Sequence, residues 1–270
     1  MKMKKIIFYL LWVVFVTACK KEAADPEFID KPVIESYLRS GDTARLNVSR
    51  LVSYSANAQY SSDNLDALQI FISTNNTSYQ MQPKGNGNYI ASNPLLKISA
   101  GSIYNVSFTY NGKGVSATTV VPPKPTGYAE SVSSISLPQI TTSGGGFGGG
   151  TQPTPITLTW TNNDGSYYLV VVENIEINPV LINTTETGPS RSFRNSPIQT
   201  NTFQIRSRQF HYFGWHRIIL YHLNPDYANL YGNSSNNSNN LTNTETGIIN
   251  GTGIFTGINA DTLLLNVIKQ

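Results

Sequence analysis

Hydrolytic chemistry needs a nucleophile with a base, a pair of carboxylates facing one bond, or a metal held by converging side chains, and this chain offers little material for any of them. Its three histidines are His211, His216 and His222. On one extended strand His216 and His222 share a face, yet six residues set them about 20 Å apart, too far to hold one ion. A loop could bring His211 back toward them, but no H-E-x-x-H pattern and no G-x-S-x-G elbow occurs. Asp63 with Asp66 and Glu173 with Glu176 lie beside turns and strand ends, where solvated acids are the economical reading. Gly144–Gly150 lacks the lysine and hydroxyl of a phosphate loop, and no helical pattern follows it to present a dipole. No catalytic, cofactor-binding or metal-ligating residue is predicted, and no enzymatic activity. A glycan hydrolase would require carboxylates that meet in a cleft.

The residues best suited to recognition are aromatic. Phe210, Tyr212, Phe213, Trp215, Tyr221, Tyr227 and Tyr231 form the densest such region. Their first reading is core of a β domain; the second is an exposed patch that stacks on sugar rings or anchors a protein.

The residue with a definite chemical fate is Cys19, the only cysteine of the 270 residues. Lys2, Lys4 and Lys5 precede the apolar run Ile6–Val16, and Thr17-Ala18 supplies small residues at a cleavage point, which is signal-peptide grammar. Eleven residues span about 16 Å as a helix against a hydrocarbon core of about 30 Å, too short for a span. Residues 1–18 therefore read as a lipoprotein signal peptide and Cys19 as the lipidated residue. More than one acyl chain at that end meets the condition for stable anchoring. Removing residues 1–18 takes away three lysines and no acid, leaving sixteen cations and sixteen anions. A neutral mature chain argues against a nucleic-acid partner, which needs a persistent basic patch. With no other cysteine, neither disulfides nor thiolate metal sites can hold the fold.

Residues 19–32 read as a solvated tether. From Val33 onward the pattern is short runs of Val, Ile, Tyr, Phe and Thr broken by Gly, Asn, Pro and Asp, which predicts an all-β chain. The expected strands of a first sandwich, residues 33–122, are 33–38, 44–49, 67–73, 89–92, 103–110 and 115–121. Tyr104, Val106, Phe108 and Tyr110 alternate with polar residues, and Asn111-Gly112 suits a tight turn, so 103–121 should be a hairpin. Pro122-Pro123-Lys124-Pro125 marks a boundary. A second β domain, residues 126–268, is expected to carry strands at 131–137, 156–161, 167–173, 202–206, 215–223 and 262–268, with a mobile Gly-rich loop at 144–150 and a polar loop at 233–247. One short helix is predicted: Asn224 as cap, Pro225 at the first position, then Tyr227, Leu230 and Tyr231 at helical spacing, ending near Gly232.

Cys19, the strand Val33-Ile34-Glu35-Ser36-Tyr37-Leu38, the strand Val115–Pro123, the helix around Asp226-Tyr227 and the closing Asn250-Gly251-Thr252-Gly253-Ile254-Phe255-Thr256-Gly257 together resemble the Bacteroidota lipoproteins grouped as the domain of unknown function 4249 family. The resemblance runs over most of residues 19–268, and the Gly-rich insertion departs from it. It implies an amino-terminal Ig-like or transthyretin-like sandwich followed by a second β domain, an outer-membrane lipoprotein, and genes beside those of TonB-dependent receptors. It supplies no catalytic residues. Lys20-Lys21-Glu22 resembles part of a surface-export signal in such lipoproteins, and Asp42-Thr43-Ala44 and Asp261-Thr262-Leu263 resemble their short O-glycosylation motif. The expectation is a lipid-anchored, non-catalytic accessory or binding partner of a TonB-dependent receptor, periplasmic or at the cell surface. The alternative is an adhesin or carbohydrate-binding module with a glycan as partner.

Overall fold

The structure, a computed structural model, describes residues 30–52, 64–93, 96–141, 154–234 and 247–270, with the backbone alone for 231–234. Cys19, the leader, the Gly-rich loop 144–150, Asp63 and most of the polar loop 233–247 lie outside the described residues.

The first half of the chain supplies β1 (Pro32–Arg39), β2 (Arg45–Arg50), β3 (Phe71–Thr74), β4 (Thr77–Gly85), β5 (Asn88–Ala91), β6 (Ile103–Tyr110) and β7 (Lys113–Val120). The second supplies β8 (Ala129–Glu130), β9 (Ser134–Leu137), β10 (Ile156–Thr159), β11 (Tyr167–Asn174), β12 (Ser192–Arg194), β13 (Thr202–Ile205) and β14 (Gly214–Leu223). Among the described residues one α-helix, α1 (Pro225–Ser234), precedes β15 (Ile248–Ile249) and β16 (Thr252–Lys269). The fold is all-β and sandwich-like with one short helix, as the residue pattern predicts.

Local chemistry explains the hairpins. In β6 the predicted alternation is realised: Tyr104, Val106, Phe108 and Tyr110 are buried and the residues between them exposed. Asn111 and Gly112 both take positive φ between paired Tyr110 and Lys113, the two-residue turn whose twist matches the strands. Asn75-Asn76 turns β3 into β4 in the same way. Strand β4 was not among the expected strands because only Met81 of its nine residues is buried, so no alternation shows in the sequence.

Sheet order runs β12-β11-β14-β16-β1-β2-β5-β4-β3-β6-β7-β15, with β9 also on β16, and a separate sheet β13-β10-β8. The position of β16 is the main departure from the sequence reading, which places a strand only at 262–268. The strand begins ten residues earlier, and its first half pairs in parallel with β1, from Val33 opposite Thr252 to Arg39 opposite Ile258. Its second half pairs antiparallel with β14, from Leu223 opposite Ile258 to Gly214 opposite Val267.

Two glycines permit this path. A Cβ on Gly253, at φ +106°, would lie 2.1 Å from the Ile34 carbonyl oxygen, and one on Gly257 would lie 2.4 Å from that of Val120. Those contacts leave room only for hydrogen and give the closing Gly-x-Gly-x-x-x-Gly pattern its physical reason.

Two large buried clusters result among the described residues, within one compact unit of residues 31–270. The first gathers Ile34, Val48, Ile72, Tyr89, Val106 and Phe108, with Phe255 of β16. The second gathers Leu158, Val170, Val172, Ile218 and Leu220, with Leu265 and Val267 of β16. The connecting prolines are held to this arrangement: the Pro122 carbonyl accepts from Asn259 Nδ2 at 3.0 Å and the Pro123 carbonyl from His222 Nδ1 at 2.9 Å.

Candidate functional site

The described titratable residues singled out in the sequence are dispersed, each with a structural task. His211 Nδ1 lies 2.8 Å from Glu186 Oε2 at the surface. His216 is buried; its Nδ1 donates to the Gly214 carbonyl at 3.0 Å, which leaves Nε2 to accept from Asn174 Nδ2 at 3.4 Å. Asn174 Nδ2 also donates to the Phe213 carbonyl, and its Oδ1 accepts from Arg191. Burial holds the His216 imidazole below its ordinary pKa, with the Gly214 contact and Glu176 opposing. His222 is buried against Tyr168, ring centroids 4.8 Å apart. Asp66 accepts the backbone N–H groups of Asn86 and Gly87 at 3.0 and 2.8 Å, bracing the β4–β5 turn. Glu173 Oε2 pairs with Arg217 at 2.6 Å, and Glu176 Oε1 accepts the Trp215 N–H at 2.8 Å. Among the described residues no three His, Cys, Asp or Glu side chains gather where a metal could bind.

The aromatic region divides. Phe210, Tyr212 and Phe213 are buried, so the core reading holds for them. Trp215 stays 46% exposed on the outer face of the β14 sheet. Tyr221 and Tyr227 do something else: they line a groove. It is built on the outer face of five adjacent strands, where an antiparallel sheet ordinarily presents polar side chains to water. Leu169 stands opposite Tyr221 across β11 and β14, Leu223 opposite Ile258 across β14 and β16, and Ile258 opposite Arg39 across β16 and β1. Arg194 of β12 stands opposite Val171 at the far end.

The inward neighbours of these residues, Tyr168, Val170, Val172 and Leu220, fill the second core. Strands β11 and β14 are therefore apolar on both faces. The outer set forms a small cluster of its own, Leu169, Leu223 and Ile258, buried beneath Tyr167, Tyr221 and Tyr227.

The cavity measures about 270 Å³. Its floor is aliphatic and its walls are Tyr37, Tyr221 and Tyr227. Tyr37 meets Tyr227 edge to face at 5.8 Å, so α1 closes one side. The Arg39 guanidinium lies 5.4 Å above the Tyr221 ring and donates to its hydroxyl at 3.0 Å, a contact that fixes the orientation of the charge. Past Tyr37 the same sheet face opens into a second cavity of about 520 Å³, lined by Glu35, Arg45, Asn47, Lys84 and Asn88. Tyr37 borders both.

The sequence marked Tyr221 and Tyr227 only within a general aromatic region, placed Tyr37 only in a strand, and gave no recognition role to Arg39 or Arg194. One signal was present: Tyr167–Val172 is apolar at odd and even positions alike, which marks a strand with both faces covered.

A protein-family model described as Domain of unknown function (DUF4249) matches residues 22–263. No curated protein matches. Among solved structures the chain is similar to a chimeric titin Z1Z2 functionalized with a KLER exogenous peptide from decorin, at 9% identity, 90% of this chain and 99% of that one, with a TM-score of 0.22. It is also similar to titin A168169, at 11% identity, 88% and 98%, with a TM-score of 0.21. Overlaps of that size bear on neither fold nor function.

Proposed function

We propose, from the premise that the chain belongs to the DUF4249 family, that it is a non-catalytic binding protein held at the outer membrane by lipid on Cys19 and working beside a TonB-dependent receptor. The observation that supports a binding role is the groove. An apolar, tyrosine-walled recess with an oriented cation, on a sheet face that water would otherwise cover, fits capture of a ligand. The anchor rests on the leader and Cys19, and the receptor on the company that the family's genes keep. Asp66 serves a turn and Glu173 an ion pair, and the cavities are lined by the one carboxylate of Glu35, which suits recognition better than paired-carboxylate bond cleavage.

The test is affinity purification of the chromosomally tagged protein from gently solubilised outer membranes, with a Cys19→Ala control. A TonB-dependent barrel in stoichiometric yield, lost in the control, is the expected result. Recovery of the protein alone would remove the stable receptor partnership, and an unchanged membrane fraction in Cys19→Ala would remove the anchor.

A further inference from the structure

We propose that the groove and the cavity beyond Tyr37 form two adjoining subsites for an acidic oligosaccharide, with a carboxylate-bearing sugar ring seated against the tyrosines and its charge on Arg39. The proposal rests on the binding role above and names the ligand class that role would take.

Three observations converge on it. The first is charge. The two cavities are lined by Arg39, Arg194, Arg45 and Lys84 against the single carboxylate of Glu35, in a mature chain with equal numbers of the two signs. Within the described residues Arg39, Arg45 and Lys84 enter no ion pair, whereas Lys124 and Arg217 elsewhere each hold an acid. A concave surface with an excess of one sign attracts and concentrates ligands of the other.

The second is the state of Arg39. Its contacts are with Tyr221, one hydrogen bond and the ring face. A guanidinium has five N–H donors, so most of its fork is available, already oriented, for a bidentate carboxylate. Much of the ordering that a mobile arginine would lose on binding is settled in advance.

The third is shape. A recess of about 270 Å³ lies just under the usual range for ligand pockets, roughly 300–1,000 Å³, and suits one ring. Tyrosine faces match the C–H face of a pyranose, and the aliphatic floor excludes water around the ion pair. The second cavity, about 520 Å³, is polar: Asn47 and Asn88, already hydrogen-bonded at 3.0 Å, present amides suited to sugar hydroxyls. A chain of rings joined by polar linkages would present an apolar face on one side of Tyr37 and hydroxyls on the other. An acidic peptide would offer carboxylates but no repeating ring to place against Tyr37.

The test uses the intact protein in detergent. Electrophoretic retardation is measured in gels containing polygalacturonate, alginate or a neutral glucan, followed by calorimetry with trigalacturonate and maltotriose as probes. The expected result is retardation by an acidic polymer and not by the neutral one. Binding should fall at least about tenfold in Arg39→Gln and in Tyr37→Ala. Unfolding temperatures should fall by no more than about 5 °C, since both side chains lie at the surface and give up only their contacts with Tyr227 and Tyr221, and Trp215→Ala, on the same face but beyond the Glu173–Arg217 pair, should bind as wild type. Equal binding of neutral and acidic probes through Tyr37 would overturn the acidic class and keep the binding role. Loss of receptor co-purification in Tyr37→Ala with no retardation by any polymer would overturn the saccharide and make the groove a protein contact. Retardation that survives both substitutions would place the ligand elsewhere and overturn the site.

Discussion

Replacing Gly257 by alanine tests whether β16 makes the two buried cores one cooperative unit. The added Cβ would lie 2.4 Å from the Val120 oxygen and 2.6 Å from the Val121 Cα, where ordinary contact begins near 3.4 Å, and both neighbours are backbone. Strand β16 or the end of β7 must then retreat by about 1 Å. The Gly257 N–H donates to Thr119 Oγ1 at 2.9 Å, in a buried contact that such a retreat would break. Overpacking of this kind costs about 1–3 kcal/mol and a lost buried hydrogen bond about 1–3 more. Restricting the unfolded chain returns about 0.4–1. The net expectation is a loss of about 1–6 kcal/mol with a midpoint near 3, which at that midpoint lowers the unfolding temperature of some 240 residues by roughly 6–12 °C. Trp160 sits in the second core, whereas Gly257 touches the end of β7 beneath the first. In a Trp215→Phe background of the processed protein, tryptophan emission follows the second core and far-ultraviolet circular dichroism follows all strands. Both transitions should move together in Gly257→Ala. A Trp160 transition that stays in place while the dichroism splits would show that β16 does not couple the halves, and a shift under about 1 °C would show that the crowding at Val120 is relieved at no cost.

Further outcomes follow from individual contacts. Burial depresses the His216 pKa, so below the ordinary histidine value of 6.5 the unfolded chain takes up a proton that the folded chain declines; stability is full above that value and falls as pH drops toward the folded pKa. The urea midpoint should therefore decline between pH 7 and 5, and the decline should be smaller in His216→Asn. Asp226 has the opposite sign: burial raises its pKa above the ordinary 3.8 despite a hydrogen bond from Thr256, so the folded state gains protons and stability is lost as pH rises from 3.8 through the folded value. Asp226→Asn should raise the unfolding temperature at pH 7 and leave it unchanged near pH 3; equal shifts at both would refute the burial argument. Asp66→Ala removes the acceptor for two turn N–H groups and should cost about 1–3 kcal/mol, with faster amide exchange at Asn86 and Gly87 as its local signature.

The elements that the sequence made legible are those in which one face is dry and the other wet. β6 and β7 could be read residue by residue because Tyr104, Val106, Phe108 and Tyr110 alternate with polar neighbours, and because Asn111-Gly112 encodes a two-residue turn. Helix α1 was legible from Pro225 and the spacing of Tyr227 and Leu230, although the Asn224 side chain donates to Thr119 Oγ1 and the Val120 carbonyl, tying the helix start to β7. Strand β4 was hidden by its polar composition. The first half of β16 was hidden because glycine carries no hydrophobic signal, yet Gly253 and Gly257 are what allow that strand to lie against β1 and β7.

The groove was illegible for a different reason. Alternation reports which residues share a face within one strand, but it does not order strands that lie far apart in the chain. Tyr37 and Tyr227 are 190 positions apart and meet at 5.8 Å only because β16 inserts between β1 and β14. The parallel register that sets Arg39 opposite Ile258, and the antiparallel one that sets Ile258 opposite Leu223, carry one outer face unbroken from the strands over the first core to those over the second. A slip of one residue in either pairing would turn a strand's outer row inward, because side chains alternate with a period of two. The glycines of β16 that crowd against Ile34 and Val120 therefore do more than close the cores. By fixing the depth at which β16 lies against β1 and β7, they set where Arg39 and Tyr37 stand relative to Tyr221, so that a packing requirement in the interior determines the geometry of the recess outside.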